Sequence, residues 1–334
     1  MYIIENYGTA VFFTIITMLC WGSWGNSQKL TVKNWRFELF YWDYVLGIVL
    51  FAVVLGFTLG TIGINGRSFI PDILQADGSS ILYALIGGII FNASNILLVA
   101  AMALAGMAVA FPVGVGIALV LGVLVNYINN PKGNALILFI GIIFITMAII
   151  VDAIAYRKLS VSQKKVPTKG IMFSIVAGFL MAFFYYFVSK SMFRDFVNPE
   201  KGMLSPYSAL FFFAIGILLS NFIFNTIIMR KPVEGSPVVF SDYFKGSAKS
   251  HLTGILGGVI WMLGMSLSII ASEKAGFAIS YGLGQGATLV AALWGVFIWK
   301  EFKGAGNKVN RLIAFMFLSY LIGLALIIIA GLNQ

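Results

Sequence analysis

The sequence predicts an all-α membrane protein in which ten transmembrane helices form a 5+5 inverted-topology repeat. Hydrophobic residues make up 60% of its 334 residues and charged residues only 10%, with a mean hydropathy of +0.96. Soluble proteins contain about 25% charged residues, so this composition excludes a water-soluble domain and indicates a multi-pass membrane protein. The other two observations are a series of long apolar runs and an internal match between two parts of the chain.

The apolar runs are each long enough to cross a bilayer. A transmembrane helix needs about 20 mostly apolar residues, at about 1.5 Å of rise per residue. The ten predicted spans cover residues 8–30, 37–60, 81–104, 107–128, 134–156, 169–191, 207–229, 251–272, 275–299 and 309–330. Because the connections between them are short, the sequence predicts one integral domain that lies almost entirely in the lipid bilayer.

Basic residues are distributed unevenly between the two sets of connections that ten spans would create. One set holds six of the 22 Lys and Arg residues, and the other set holds the remaining sixteen. Cytoplasmic loops collect Lys and Arg, so both termini are predicted outside the cytoplasm and the loop 157–168 inside it, in a chain that crosses the cell (cytoplasmic) membrane. Topology thus accounts for the net charge of +10, and no nucleic-acid partner is expected.

Two stretches of the chain match without a gap at an offset of 170 residues. Gly87, Gly88, Gly106, Gly114 and Gly116 of the first stretch align with Gly257, Gly258, Gly276, Gly284 and Gly286 of the second. The match places the third and fourth spans on the eighth and ninth. An offset of five spans reverses the direction of crossing, so residues 1–160 and 161–334 are predicted to form two inverted five-helix repeats. Such symmetry permits alternating access, which favours a transporter over an enzyme, a receptor or a channel.

Residues for catalysis or for holding a cofactor are scarce. Cys20 and His251 are the single cysteine and the single histidine of the chain, and no GxxxxGK[ST] nucleotide loop is present. A nucleophile–base pair or a cluster of metal ligands cannot be assembled from so few groups. We therefore expect no enzymatic activity, no cofactor and no metal site. His251 is interpreted as a solvated residue at a helix boundary.

Short motifs of the chain resemble one family of transporters. "MYIIENYGTAV" at the N-terminus, "WGSW" in the first span and "YWDY" in the second are similar to the ureide permease family and its bacterial relatives. That family lies within the drug/metabolite transporter superfamily, near the glucose/ribose porter branch, and the Gly-rich fourth and ninth spans resemble the superfamily. The resemblance implies secondary active, proton-coupled uptake of a small polar nitrogen heterocycle, such as allantoin or another ureide, uracil or an oxo-purine.

Other functions of the same superfamily remain open at this point. A sugar permease of the glucose/ribose type would also use amide groups and aromatic rings, and a drug/metabolite exporter would use a buried carboxylate as a counter-ion. The expected partners are a small-molecule substrate, the bilayer and a coupling ion, which is the proton or, alternatively, Na⁺. A homodimer is a further alternative.

Carboxylates in the second span are the candidate proton-coupling residues. Asp43 lies about six residues inside this span, and Glu38 lies near its start. A charged Asp at the centre of a membrane helix costs about 2.5–3.5 kcal/mol, so Asp43 is expected to face a water-accessible cavity and to exchange a proton. Lys29 and Arg36 are expected to pair with it in one conformation. Asp152 is interpreted as a charge at a helix end.

Polar side chains in the third and ninth spans are candidate substrate ligands. Asn92 and Asn95 lie about one turn apart on one face of the third span. Tyr281, Gln285 and Thr288 have the spacing i, i+4, i+7 and would form one stripe on a continuous ninth helix. An amide donates and accepts at once, which suits the edge of a ureide or nucleobase. The alternative is hydrogen bonding between packed helices.

Aromatic side chains complete the predicted substrate site. Trp261 lies near the centre of the eighth span, at the repeat position of Phe91, and Trp21 lies in the first span above Gln28. A flat heterocycle or a sugar ring would stack on such faces, and Gln28 would add a polar contact. The alternative is that these rings pack between helices or line the membrane interface.

Overall fold

The computed structural model describes residues 1–32, 35–159, 167–233 and 235–332. The long helices are α1 (Tyr7–Ser23), α3 (Phe37–Phe57), α5 (Gly78–Ala105), α6 (Met107–Asn129), α7 (Ala135–Leu159), α8 (Thr168–Ser191), α9 (Pro206–Arg230), α11 (Ala248–Ala275) and α14 (Asn307–Ala330). A further crossing consists of α12 (Phe277–Gly284), α13 (Ala287–Leu293) and one π-helical turn (Trp294–Ile298). Short helices α2 (Asn26–Leu30), α4 (Phe69–Gln75) and α10 (Phe240–Tyr243) lie in the connections.

The number of crossings agrees with the predicted ten-helix membrane protein. In the described part of the chain, nine helical segments are long and apolar enough to span a membrane, and the 17-residue apolar helix α1 is slightly shorter. Seventeen residues extend over about 25 Å, close to the thickness of a hydrocarbon core. The structure therefore confirms the all-α membrane fold.

Hydroxyl groups set the starts of two spans earlier than hydropathy predicts. The Ser205 side chain accepts the backbone N–H of Ser208 at 3.2 Å, and the Ser247 side chain accepts that of Ser250 at 3.2 Å. Each N-cap satisfies a backbone donor that the first helical turn leaves free. The helix α9 consequently starts one residue before the predicted bound, and α11 includes a first turn, Ala248 to Ser250, that the predicted bounds leave out.

Both termini lie at the same end of the bundle. The amino group of Met1 donates to the carbonyl of Asn65 at 2.8 Å, and the Tyr7 hydroxyl donates to the carbonyl of Ile328 at 2.7 Å. We call this end the N-terminal face. Ten crossings require such an arrangement, because an even number of spans returns the chain to its starting side.

The helices pack in pairs that the 170-residue repeat relates to one another. The helix α5 packs on α8 and α9, while its counterpart α11 packs on α1 and α3. Gly88 brings α5 against the carbonyl of Phe213 in α9, and Gly258 brings α11 against the carbonyl of Tyr44 in α3. Corresponding glycines thus make corresponding close approaches, as an inverted repeat requires.

Glycines at matching positions of the repeat also separate consecutive helices. Gly106 separates α5 from α6 with φ +78°, and Gly276 separates α11 from α12 with φ +82°. Residues other than glycine rarely adopt this backbone conformation. The predicted boundary between the repeats, at 160 and 161, falls within residues 160–166, outside the described residues, so the division into 1–160 and 161–334 stays a prediction.

The ninth crossing is interrupted, although the sequence predicts one helix over 275–299. The helix α12 ends at Gly284, α13 begins at Ala287, and the crossing finishes in the π-helical turn. Three glycines in five residues, at 282, 284 and 286, weaken helical order here. The predicted ninth crossing is present over Phe277–Ile298, but its hydrogen bonding changes at Gln285 and Gly286, whose backbone angles remain helical. Interrupted helices of this kind often surround binding sites in transporters.

Candidate functional site

Asp43 lies at the contact between α3 and α11 and is only 1% exposed. The Nδ1 atom of His251 lies 3.0 Å from its Oδ2 and 3.1 Å from its Oδ1. The Tyr243 hydroxyl donates to Oδ1 at 2.5 Å. Gly254 of α11 lacks a side chain where Asp43 approaches, since a Cβ there would meet the Cβ of Asp43. These contacts satisfy a carboxylate that would otherwise be costly to bury.

One expectation about these residues is wrong, and the expected pairing of Lys29 and Arg36 with Asp43 in one conformation stays a prediction. His251 is not a solvated boundary residue: one quarter of its side chain is exposed, and its ring bonds Asp43. Lys29 and Arg36 do not pair with Asp43 in this structure, because each has another carboxylate partner. The Lys29 ammonium lies 3.7 Å from Glu301. The Arg36 guanidinium donates to both carboxylate oxygens of Glu38, at 2.6 and 3.1 Å.

Aromatic rings enclose the imidazole of His251. The Trp35 ring lies 5.3 Å away edge-on, and the Tyr243 ring lies 4.7 Å away. Burial, together with the bond to Asp43, raises the pKa of the Tyr243 hydroxyl well above its ordinary value. Tyr243 therefore remains a donor to Asp43 at physiological pH.

Asp152 is a partly buried carboxylate, and its interpretation as a helix-end charge is wrong. It lies about two turns before the end of α7. Its Oδ1 atom is buried without a hydrogen-bond partner among the described residues. Among all residues that the structure describes, no group of three His, Cys, Asp or Glu side chains is arranged to hold a metal ion.

A cluster of amides and hydroxyls joins α3, α5 and α9 inside the bundle. The Tyr41 hydroxyl donates to Asn92 Oδ1 at 2.9 Å and accepts from Asn95 Nδ2 at 3.1 Å. Asn92 Nδ2 donates to Ser220 Oγ at 2.9 Å. The structure thus brings the two predicted asparagines together and adds Tyr41, which sequence reasoning missed. We call Tyr41, Asn92, Asn95 and Ser220 the amide cluster.

Two further asparagines of α9 continue this polar surface. Neither amide atom of Asn221 has a hydrogen-bond partner within the described ranges, although both atoms are buried. Asn225 donates from Nδ2 to the carbonyl of Glu38 at 2.9 Å, while its Oδ1 has no such partner there. Unsatisfied polar atoms inside a protein cost about 1–3 kcal/mol each. Asn221 directly follows Ser220 of the amide cluster along α9, so the unsatisfied atoms belong to the same helix as the cluster.

A cavity of about 340 Å³ opens between α3, α5 and α9, at the end of the bundle opposite the N-terminal face, and the residues of the amide cluster are not part of its lining. We call it the α3–α5–α9 cavity. Its lining includes Arg36, Phe37, Glu38, Ile96, Val99, Ala100, Ala103 and Ile228. Phe37 packs on Tyr41 with ring centres 5.2 Å apart, and Ile96 directly follows Asn95. Glu38, a predicted proton-coupling residue, therefore lines this cavity while its carboxylate pairs with Arg36.

A second cavity, of about 860 Å³, lies at the N-terminal face. Its charged lining consists of Lys132, Arg194, Asp195, Glu273 and Lys274. The Lys132 ammonium donates to the carbonyl of Glu273, and burial lowers the pKa of Lys132. The Arg194 guanidinium donates to the carbonyl of Asn129 at 3.0 Å. The two cavities lie at opposite faces.

Aromatic side chains fill the centre of the bundle. The Trp21 and Trp261 rings stack with centres 5.9 Å apart and planes 10° apart. Trp21 donates from Nε1 to the carbonyl of Trp261 at 3.2 Å. Phe91 lies 4.2 Å from Trp261, and Phe213 lies 6.1 Å from it. The two predicted tryptophans thus stack on each other in this conformation.

The predicted residues of α2, α12 and α13 lie apart from the amide cluster. Tyr281 donates to the carbonyls of Ala118 and Met181 at 3.3 and 3.2 Å. Gln285 lies at the break after α12, and the Thr288 hydroxyl donates to its carbonyl at 3.1 Å. Gln28 lies on α2, beyond the end of α1. The structure therefore unites Asn92 and Asn95 but does not join them to these four residues.

Sequence patterns contain a partial signal for the residues beyond the predicted site. Asn221 and Asn225 were not missed: their i, i+4 spacing in an apolar helix places both on one face and predicts an interhelical pair, and Asn225 does bond α3. Tyr41 is one of many aromatic residues, and nothing local distinguishes it. The partners His251 and Tyr243 stand about 200 positions from Asp43, a separation that spacing rules do not reach.

Comparison with known proteins gives one consistent result. A family model described as ureide permease matches residues 40–168 and 155–330. Ureide permease 1 of Arabidopsis thaliana is 24% identical, over 98% of this chain and 98% of its own length. Ureide permease 2 of the same plant is 23% identical, over 96% and 97%. Transmembrane protein 144 homolog B of Dictyostelium discoideum is 30% identical over 34% of this chain and 30% of its own length.

The fold also matches a known structure. A solved crystal structure superposes with a TM-score of 0.62 at 15% sequence identity, covering 97% of this chain and 99% of the other. That likeness concerns the fold alone. The family model, by contrast, covers most of the chain, and full-length relatives are named permeases. The chain therefore belongs to the ureide permease family, and it is a membrane transporter rather than an enzyme.

Proposed function

We propose that this transporter carries a ureide or a related cyclic imide, such as allantoin or uracil, by alternating access, and that protons drive its uptake across the cell membrane. Full-length relatives named ureide permease support the substrate class. The inverted arrangement of α5 with α11 supports alternating access. The amide cluster binds the substrate, and Asp43 takes up the proton.

The observation that carries the substrate class is the set of buried amides on α5 and α9, of which Asn221 and Asn225 have polar atoms without a hydrogen-bond partner among the described residues. A ureide presents N–H donors and C=O acceptors along one edge, and an Asn side chain offers the complementary acceptor and donor. Asn221 has both atoms unused among the described residues. Binding a ureide would satisfy groups that are otherwise costly to bury.

The charges around the α3–α5–α9 cavity favour a neutral substrate. Arg36 and Glu38 are the charged residues among the described lining, and they bond each other through two hydrogen bonds. Asp43 faces α11 rather than the cavity. A lipophilic cation would need an unpaired carboxylate as its counter-ion, so this arrangement argues against an exporter of such cations.

The helix α3 provides the connection between substrate and proton. Tyr41 bonds the asparagines of α5, and Asp43, two residues later, bonds His251 and Tyr243. A displacement of α3 by a bound substrate would change the contacts of Asp43. Substrate occupancy and protonation are linked in this way, as symport requires.

Competition for transport tests the substrate class. In proteoliposomes that contain the purified protein, unlabelled uracil should reduce the uptake of labelled allantoin. Glucose and a quaternary amine should not reduce it, because neither presents the N–H and C=O edge that the amides match. Stronger competition by glucose than by uracil would instead support the sugar permease.

A matched pair of variants tests the site. Asn95→Ala should raise the KM for allantoin by about two- to tenfold, the range expected for one lost hydrogen bond. Ser94→Ala is the control, since Ser94 is a buried neighbour of Asn95 on α5 whose hydroxyl donates to the carbonyl of Ala177 in α8 at 2.8 Å. Equal KM values for both variants and the wild type would place the substrate elsewhere.

A further inference from the structure

The surroundings of His251 differ on the two sides of its ring. Nδ1 faces the buried carboxylate of Asp43, at 3.0 Å from Oδ2. Nε2 lies beside Gly246, where an added Cβ would stand 2.5 Å from it. Gly246 carries no side chain to cover this nitrogen, and one quarter of the His251 side chain is exposed. The ring therefore bridges a buried acid and the protein surface.

The segment before α11 fixes this geometry. Tyr243 of α10 donates to Asp43 Oδ1 at 2.5 Å, which leaves Oδ2 toward the imidazole. The rings of Trp35 and Tyr243 hold the imidazole from two sides. From the elements packed here, the titratable groups facing Asp43 are Tyr243 of α10 and His251 of α11, and Tyr243 stays protonated.

We propose that His251 is the proton relay between the aqueous surface opposite the N-terminal face and Asp43, and that Tyr243 is a positioning residue for this transfer. The inference rests on the proposed proton coupling at Asp43. His251 is the only histidine of the chain, and imidazole is the side chain whose unperturbed titration lies nearest neutral pH.

The transfer balances as a simple exchange. In the imidazolium both ring nitrogens carry a proton. The Nδ1–H bond breaks while an O–H bond forms at Asp43 Oδ2, which leaves a neutral imidazole and a neutral carboxylic acid. Nε2 keeps its proton. Nδ1 takes up a new proton from a hydronium ion of the aqueous phase after the ring turns or after Asp43 moves away with α3, and a water molecule is left. Release of the proton follows the same steps in reverse.

Chemical rescue distinguishes a relay from a structural histidine. His251→Ala should slow proton-driven uptake of allantoin by at least about tenfold, because general acid–base groups contribute about 10²–10⁴-fold to proton transfer. The final accumulation ratio should stay at the wild-type value, since Asp43 still couples one proton to transport. Added imidazole should restore the rate in proportion to its concentration.

Two further variants complete the test. His251→Gln fills the same space without carrying a proton, so it should be equally slow and should not respond to imidazole. Lys249→Ala, at an exposed position two residues before His251 on α11, should behave as the wild type with and without imidazole. A wild-type uptake rate in His251→Ala, or slow uptake that imidazole does not restore, would overturn the relay.

The variants give different results when only the relay is wrong and when the proposed proton-coupled function is wrong. If Asp43→Asn abolishes proton-driven accumulation while His251→Ala is as fast as the wild type, Asp43 is coupled but exchanges its proton by another route. If the wild type accumulates no allantoin under a proton gradient, the coupled function and the relay fall together.

Discussion

Asp43 illustrates how much a single buried charge depends on its neighbours. Its two oxygens receive contacts from Tyr243 and His251, which come from two different elements. Hydropathy along the chain indicates that such a carboxylate needs a partner, but it cannot identify the partner, because tertiary packing brings these residues together. Sequence spacing instead favoured Lys29 and Arg36, which lie close along the chain and bond elsewhere.

Removing the charge of Asp43 should separate coupling from transport. Asp43→Asn retains the shape and hydrogen bonding of the side chain but has no proton to exchange. We expect it to abolish accumulation of allantoin driven by a proton gradient and to preserve exchange of labelled for unlabelled allantoin. Both are measured in the same proteoliposomes. Asp242→Asn is the control, because Asp242 is a carboxylate of the same face that pairs with Lys245.

One result would refute the role of Asp43. If uptake by Asp43→Asn still follows an imposed pH gradient while Asp242→Asn is normal, Asp43 is structural and coupling resides elsewhere. Loss of both accumulation and exchange would mean that Asp43 is needed for substrate transport itself, and not only for coupling transport to the proton.

At the scale of the elements, backbone conformation matters as much as hydropathy. Most predicted spans agree with the observed helices to within a few residues, because apolar length alone decides which segments cross a bilayer. The ninth crossing differs, since its glycines permit a break that a hydropathy profile does not record. The candidate stripe of Tyr281, Gln285 and Thr288 depended on a continuous helix, so its geometry changes with the break.

The glycines between paired helices should be sensitive to substitution. Gly106→Ala forces a side chain into a conformation nearly restricted to glycine, at a cost of about 1–3 kcal/mol, without any steric contact within 4 Å. Gly276→Ala should lose more stability, because its Cβ would also meet the Cβ of Lys132 at 2.8 Å. Thermal unfolding in detergent would show the order.

A glycine with ordinary backbone angles provides the comparison. Gly78→Ala places a Cβ in open space at the start of α5, so its Tm should equal that of the wild type or rise slightly. An unchanged Tm for Gly106→Ala would mean that this position tolerates another conformation, and the strain argument would fail.

At the scale of the whole molecule, the predicted grouping of loops agrees with the contacts. Arg67 bonds the carbonyls of Pro199 and Glu200 at the N-terminal face, and Arg36 bonds that of Ser236 at the opposite one. Hydropathy and the repeat are properties of the sequence alone, so the class of fold and the number of crossings could be predicted. Orientation depends on the membrane, and it stays a prediction.

Cysteine labelling tests the orientation. A cysteine at Ile64, which is fully exposed at the N-terminal face, should react with an impermeant thiol reagent in intact cells. A cysteine at Ser162, in the predicted cytoplasmic loop, should react only after permeabilisation; this position lies outside the described residues. The native Cys20 is buried and gives a low background. The opposite pattern would reverse the assignment of the two faces.

The contact between Phe91 and Trp261, with ring centres 4.2 Å apart, joins two residues that the 170-residue repeat makes counterparts. If the two repeats exchange conformations during a transport cycle, a contact between two counterpart residues is the same contact before and after the exchange. A contact between residues that are not counterparts is replaced by a different one. The contact between Phe91 and Trp261 would then stay in place while the helix ends at both membrane faces move. The substrate would have to pass this aromatic contact, so the space beside the two rings, rather than the width of either cavity entrance, would limit the size of the transported molecule.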